Sequence, residues 1–284
     1  MKNSLKIKCP AKVNLSLDVV RRRKDGYHEL EMVMHTVNLF DTVDISIEDA
    51  NEILVMVSTD SAIIPSDDSN LCAKAANLFL NEIGVFKKVN IYIEKNIPVG
   101  AGLGGGSSDA AGTLLALNQL LDNPLSAEAL AGLAKKIGAD VPFFIYGGCM
   151  LARGIGEILS PLPSLREATI LIAKPDYGIS TPYVYKNLKL DINIKHPDTQ
   201  SVIKAIQQND LSLLGKASEN VLETVVCKEY PEIEEYKQIM KNHGAVYSLM
   251  SGSGSSVFGV FANIQLAENA AKELKTLTNH VYIA

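Results

Sequence analysis

The segment Pro98-Val99-Gly100-Ala101-Gly102-Leu103-Gly104-Gly105-Gly106-Ser107-Ser108-Asp109-Ala110-Ala111 carries five glycines in seven positions. Without a Cβ, glycine takes positive φ readily and lets the backbone come close to a ligand. The segment follows a strand pattern and runs into a helix pattern, whose first N–H groups are unpaired and whose dipole presents its positive end. That combination suits a polyphosphate. Ser107 and Ser108 stand where a hydroxyl can cap the helix or meet a phosphate or its metal ion. A tight strand-to-helix turn accounts for one or two glycines, not for this density.

Two common phosphate loops are set aside. A Walker A loop needs Lys and then Ser or Thr after its last glycine; counted from Gly100, the lysine position holds Gly106. Gly100, Gly102 and Gly105 do meet the G-x-G-x-x-G spacing of a dinucleotide fingerprint, with Asp122 near the place of a ribose-binding acid. However, Val89 to Ile93 alternates apolar with polar residues instead of forming the wholly apolar strand such a fold buries, and Pro98 intervenes.

Phosphoryl transfer also needs a carboxylate to orient the attacking hydroxyl and a cation for the moving phosphoryl group. Lys12 and Asp140 are available for those roles. Asp140, in Gly138-Ala139-Asp140-Val141-Pro142-Phe143-Phe144, equally suits a helix or turn cap. Lys12, Asn14, Ser16 and Asp18 share one face of an extended strand, with Ile7, Cys9, Val13, Leu15, Leu17 and Val19 on the other. The polar face meets either water or a site. Asp25-Gly26-Tyr27-His28 offers a ring and an imidazole at a turn, for surface packing or for recognising a base. Arg21 to Lys24 reads as a solvated loop; as an RNA contact it lacks interleaved aromatics. Met250-Ser251-Gly252-Ser253-Gly254-Ser255-Ser256 is far longer than the roughly two residues of a tight hairpin, and its small side chains suggest close approach to a ligand.

The elements that must position these residues follow from periodicity. Strands are expected at Ile7 to Val19, Met32 to Leu39, Thr42 to Glu48, Ile53 to Val57 and Val89 to Ile93, with helices at Leu71 to Ile83, about Ser107 to Leu121, and Ala127 to Ile137. This is an α+β layer. The Pro-rich stretch Ser160 to Ser164 marks a domain boundary, giving domains 1–160 and 161–284. Beyond it come a strand at Ala168 to Ala173, helices at Thr199 to Gln207, Leu211 to Val225 and Glu232 to Asn242, strands at Val246 to Met250 and Val257 to Phe261, a helix at Leu266 to Leu277 and a strand at Val281 to Ile283. That order fits a ferredoxin-like split βαβ domain with extra helices.

Composition bounds the partners. The chain has 284 residues, 47% hydrophobic and 21% charged, with a net charge of -5. Its length suits two domains of roughly 150 residues. The acidic balance argues against a broad nucleic-acid or anionic-membrane surface, so any positive patch is local. Cys9, Cys72, Cys149 and Cys227 are too far apart for a redox dithiol or zinc knuckle, and are expected as buried thiols in a reducing cytoplasm. No stretch approaches the roughly 18 apolar residues of a membrane span, and the N-terminus lacks a signal-peptide core.

Taken together, Pro98, Gly102, Leu103, Gly104, Ser107 and Ser108 resemble the P-x-x-x-G-L-G-S-S-A-A loop of the GHMP small-molecule kinases, with Gly105 and Gly106 extra and Asp109 in place of the first alanine. PAKVNLSL, DGYHEL, GLGGGSSDAAG, GADVPFF and LMSGSGSSVFG narrow the resemblance to the branch acting on a cytidylyl methylerythritol. It implies an N-terminal ribosomal-protein-like α+β domain and a C-terminal ferredoxin-like α/β domain. It further implies ATP along Pro98, Val99, Gly100, Ala101, Gly102, Leu103, Gly104, Gly105, Gly106, Ser107 and Ser108, with Mg2+, for which Ser108 and Asp109 are candidate ligands. Lys12 and Asp140 match the catalytic pair, Asn14 would help position substrate, and Tyr27 and His28 would stack on and bond the cytosine. The second stacking ring comes from Thr181-Pro182-Tyr183-Val184-Tyr185, mapped to Tyr185 with Tyr183 as the alternative. A cytoplasmic monomer or weak homodimer is expected, with neither nucleic acid nor membrane as partner. The rivals are another kinase of the superfamily, acting on mevalonate, homoserine or a sugar, and an RNA-binding module.

Overall fold

The computed structural model describes residues 3–166, 168–190 and 194–284. In chain order the elements are β1 (Ser4–Arg22), β2 (His28–Asp49), β3 (Leu54–Thr59), α1 (Leu71–Ile83), β4 (Lys87–Glu94), α2 (Gly105–Leu120), α3 (Ala127–Ile137), α4 (Val141–Tyr146), β5 (Cys149–Gly154), β6 (Ile158–Leu162) and β7 (Thr169–Lys174). There follow α5 (Thr181–Asn187), α6 (Thr199–Gln208), α7 (Leu211–Ala217), α8 (Glu223–Glu229), α9 (Glu232–Asn242), β8 (Tyr247–Met250), β9 (Val257–Phe261), α10 (Ile264–Leu274) and β10 (His280–Ile283). The chain forms two compact units, and the long strands β1 and β2, which pair with each other, run through both.

The first unit takes the chain up to Ala11, Leu39–Val99 and Gly104–Gly147. Here the C-terminal part of β2 pairs antiparallel with β4, from Thr42 opposite Glu94 to Asp49 opposite Lys87, and β3 adds to β4 in parallel. Alternation buries Val43, Ile45, Ile47, Val89, Ile91 and Ile93 on one face. Helices α1, α2 and α3 pack together, with Phe79, Leu114, Leu117 and Leu133 buried. Asn70 caps α1 by accepting from the Cys72 N–H at 2.8 Å, and Gly84 ends it at φ +67°. Ser126 caps α3, whose Glu128 in the first turn and Lys135 and Lys136 in the last suit the helix dipole.

The second unit takes Lys12–Asn38, Gly100–Leu103 and Gly148–Ala284. Leu30 to His35 of β2 pair antiparallel with β5, and β5 with β6. A separate four-stranded sheet, all antiparallel, has the order β10-β7-β9-β8. With helices between β7 and β8 and again between β9 and β10, this is the ferredoxin-like split βαβ arrangement, extended by α5 to α8. Its core includes Phe258, Val260, Ile233, Met240 and Leu274.

Several elements differ from the periodicity reading. Met32 to Leu39 and Thr42 to Glu48 are one strand, because Asp41, which alone favours a break, is fully buried and takes hydrogen bonds from two backbone N–H groups. The Pro-rich stretch holds β6, where Pro161 is tolerated because the strand lies at the sheet edge. Helix α2 begins at Gly105, two residues before the expected start, since glycine hides a helix from propensity. Leu211 to Val225 splits into α7 and α8, where Glu219 and Val221 bond the backbone of Leu17 and Asn220 turns its side chain onto the Leu222 N–H. Helices α4 and α5, each with a proline in its first turn, are additional.

Candidate active site

Lys12 and Asn14 lie side by side on β1 and are 3% and 1% exposed, so their strand face is not solvated. Burying an ammonium is costly unless acceptors surround it. The Lys12 Nζ donates to Asn14 Oδ1 at 2.6 Å and to the Gly102 carbonyl at 2.8 Å. Asn14 completes its bonding through Nδ2 to the Met32 sulfur at 3.2 Å. The backbone joins in, the Lys12 N–H donating to the Leu103 carbonyl at 2.9 Å. The strand cation and the glycine-rich segment are thus one bonded assembly. Asp18, farther along the face, instead pairs with His196 at 2.6 Å.

The Met250 to Ser256 segment packs against the same place. Ser251 Oγ donates to the Gly102 carbonyl at 2.9 Å, and the Ser256 N–H donates to the Ala101 carbonyl at 3.2 Å. A Cβ on Gly102, which sits at φ +74°, would lie 2.1 Å from the Ser251 carbonyl oxygen. A Cβ on Gly252 would lie 3.4 Å from both Lys12 Nζ and Asn14 Oδ1. The close approach suggested by these small residues is therefore, at minimum, an approach to the glycine segment and to Lys12.

In the first unit, Pro98 and Val99 lead into the glycine segment, and Gly104, at φ +74°, is the N-cap of α2. Gly105, Gly106 and Ser107 open the helix, presenting N–H groups that a helix leaves unpaired, while the Ser108 N–H donates to the Gly104 carbonyl at 2.9 Å. Ser108 Oγ is buried with no hydrogen-bond partner, and so is Asp109 Oδ1. Such orphans fit a missing oxygen-seeking ligand. The other Asp109 oxygen, Oδ2, receives Lys95 Nζ at 2.8 Å. Burial pushes the Asp109 carboxyl up to about 7, with Lys95 opposing the shift and Asp41 reinforcing it. Asp140 is half-buried at the N-cap position of α4, and its side chain makes no capping hydrogen bond.

At the β1–β2 turn, the His28 and Tyr185 rings lie with centroids 5.2 Å apart and planes inclined by 32°. Burial holds the His28 imidazole below its ordinary range, with Arg22 adding to the shift, which favours the neutral ring. Tyr183 is drawn elsewhere, its hydroxyl donating to the Glu229 carboxylate at 2.7 Å. Tyr27 is 61% exposed, its N–H held by Asp25 Oδ1 at 3.1 Å. Arg23 pairs with Asp25 and Glu29, and Arg21 with Glu29, consistent with a solvated basic run. Cys9, Cys72 and Cys149 are buried free thiols and Cys227 is half-buried; burial raises all four, so none is poised as a nucleophile.

Asn220 and Glu223 brace the Met250 to Ser256 segment but carry no local motif. Asn220 Nδ2 donates to the Met250 and Gly252 carbonyls at 2.7 and 2.8 Å, and Glu223 Oε1 accepts from the Met250 N–H at 2.6 Å. Only the interruption of a long helical pattern near Asn220 could have signalled them.

Residues 70–148 match the family description "GHMP kinases N terminal domain" and residues 202–279 match "GHMP kinases C terminal". A two-unit α+β chain with these matches and this glycine segment is a GHMP kinase. Over 99% of its own length and 99% of the relative's, the chain is 43% identical to 4-diphosphocytidyl-2-C-methyl-D-erythritol kinase of Clostridium tetani, and it is 44% identical to that of Syntrophomonas wolfei over 100% and 98%. A crystal structure of 4-(cytidine 5'-diphospho)-2C-methyl-D-erythritol kinase superposes with a TM-score of 0.83 at 35% identity, covering 98% of each chain. Within the GHMP kinases, the chain belongs to the 4-diphosphocytidyl-2-C-methyl-D-erythritol kinase family. A homoserine kinase of Cytophaga hutchinsonii, 23% identical with a TM-score of 0.81 and coverage of 100% and 95%, shares the fold.

Proposed function

We propose that this chain transfers the γ-phosphoryl group of ATP to the 2-hydroxyl of 4-diphosphocytidyl-2-C-methyl-D-erythritol, giving the 2-phosphate in non-mevalonate isoprenoid precursor synthesis. The observation that carries it is the bond from the buried Lys12 ammonium to the Gly102 carbonyl, which joins a cation to a glycine-rich loop. The choice of acceptor follows the full-length relatives, which bear the name of that kinase.

In this reading Pro98 to Ser108 hold the triphosphate through backbone N–H groups and the N-terminus of α2. Ser108 Oγ, with Asp109 Oδ1 beside it in sequence, would hold Mg2+, which neutralises phosphate charge when bound. Lys12 stabilises the charge on the transferring group, and Asn14 fixes both Lys12 and the acceptor. Asp140 orients the 2-hydroxyl and takes its proton as the new O–P bond forms and the bond to ADP breaks; a loose transition state demands little base strength early. His28, Tyr27 and Tyr185 take the cytosine, for which the His28–Tyr185 pairing is the support. The two family matches fall on opposite sides of the 1–160 and 161–284 division, although the compact units part earlier, after Gly147, and β6 crosses residue 160.

A coupled ADP-release assay with ATP, Mg2+ and the cytidylyl substrate tests this, with mevalonate, homoserine and galactose as controls. Turnover of the cytidylyl substrate alone is expected. Preference for any control would overturn the acceptor assignment, and RNA binding without ATP turnover would overturn the whole reading.

A further inference from the structure

The most unusual buried cluster in the first unit joins three distant stretches of chain. Asp41, in the middle of β2, has a side chain with no exposure, and Lys95 and Asp109 are 7% and 3% exposed at theirs. Asp41 Oδ1 accepts from the Asn96 and Ile97 N–H groups at 2.6 and 2.8 Å. Its Oδ2 binds Lys95 Nζ, and that ammonium in turn binds Asp109 Oδ2 on α2 at 2.8 Å. A Cβ on Gly105 would lie 3.2 Å from Asp41 Oδ2, so a larger residue at the helix start would crowd this carboxylate, whose bonded link to α2 is the Lys95 ammonium shared with Asp109.

Asn96 and Ile97 immediately precede Pro98, and Gly105 opens α2. Between them the backbone takes positive φ at Gly100, Gly102 and Gly104. A glycine-rich segment has little conformational preference of its own, so its path is set by what holds its ends. Buried ion pairs contribute uncertainly to stability, because desolvation offsets the attraction, and apolar replacements of similar volume are often tolerated. What a hydrogen-bonded carboxylate adds is fixed geometry.

We propose that Asp41 is a positioning residue for nucleotide binding, one buried carboxylate that anchors both the entry of the glycine-rich loop and the helix at its exit. This rests on reading Pro98 to Ser108 as the ATP loop. Asp41 touches no substrate; it acts through Asn96 and Ile97 at the loop entry and through Lys95, and so Asp109, at the helix.

Asp41→Asn keeps an oxygen for the Asn96 and Ile97 N–H groups but loses the charged tie to Lys95. The expected result is a KM for ATP raised on the order of tenfold or more, with kcat and the KM for the cytidylyl substrate within about threefold. Calorimetric binding of a non-hydrolysable ATP analogue should weaken in parallel. Asp41→Asn/Lys95→Gln removes both of these charges at once, leaves Asp109 Oδ2 an amide donor in place of the ammonium, and should show the same split if the single variant folds poorly. Lowered melting temperature with unchanged ATP KM and analogue affinity would overturn the proposal. Failure of both variants to fold would also overturn it, by making the cluster a requirement of folding. Absence of ATP-dependent turnover in the parent enzyme would instead overturn the underlying ATP-loop reading.

Discussion

Gly102→Ala puts the geometry around Lys12 under direct strain. The residue sits at φ +74°, where an L side chain costs about 1–2 kcal/mol. The added Cβ would also lie 2.1 Å from the Ser251 carbonyl oxygen, 3.1 Å from its carbon and 3.2 Å from the Gly254 carbonyl oxygen. These are backbone atoms, so relief requires one segment to withdraw by about 1 Å, a displacement that can cost on the order of 100-fold in rate at a reacting centre. The Gly102 carbonyl is also the acceptor for Lys12 Nζ at 2.8 Å and Ser251 Oγ at 2.9 Å, so the withdrawal loosens the cation itself. Gly100→Ala is the matched control, because its φ of +65° imposes similar strain with nothing within 4 Å of the new methyl group. Stopped or continuous ADP-release kinetics at saturating substrates, with melting curves for both variants, separate the terms. Both should lose stability from backbone strain, Gly102→Ala more because of its added clash, and Gly102→Ala alone should lose kcat by about 100-fold. Equal kcat values for the two variants would refute the claim that the Gly102–Ser251 approach holds Lys12 in place.

Lys12→Ala and Asp140→Asn should each lower kcat by on the order of 100- to 1,000-fold while the protein still binds nucleotide; retention within a few-fold in steady-state assays would contradict their catalytic roles. Tyr185→Ala should raise the KM for the cytidylyl substrate by roughly tenfold and leave the KM for ATP alone, whereas Tyr183→Ala, whose hydroxyl is engaged by Glu229, should do little to either. The half-buried His35 should make folding pH-sensitive. Its Nδ1–H donates to the Thr36 carbonyl at 2.6 Å and its Nε2 accepts from the Leu165 N–H at 3.1 Å, which only the neutral ring can do. Burial holds its titration below the usual 6.5, opposed in part by the Thr36 carbonyl. Its contribution is therefore present above pH 6.5 and is lost as pH falls through the lower folded value, so melting temperature should drop on acidification and do so less in His35→Gln.

Period-two alternation was enough to place Lys12 and Asn14 on one face, because each residue of a strand reverses its side chain regardless of context. Glycine density likewise located the loop, since few other uses require so many residues without a Cβ. The start of α2 is hidden from propensity for the same reason, since Gly105 and Gly106, which open the helix, are poor helix formers. Asp41 was invisible. A carboxylate between two strand patterns looks like a break until its partners, more than fifty residues away in sequence, are known. Asn220 and Glu223 were hidden similarly, inside what read as one helix.

The sequence by itself determined which residue types the chemistry has available, the α+β class and the ferredoxin-like order of the second half, all of which depend on local spacing. Tertiary structure decided that Lys12, Asn14 and Ser16 on the polar face of β1 are buried, that Lys12 shares the Gly102 carbonyl with Ser251, that Tyr185 lies beside His28, and that Asp41 and Asp109 share the Lys95 ammonium. Periodicity records on which side of an element a residue lies, but a hydrogen bond between residues ninety or more positions apart depends on how the chain returns, and that is fixed only when the elements pack.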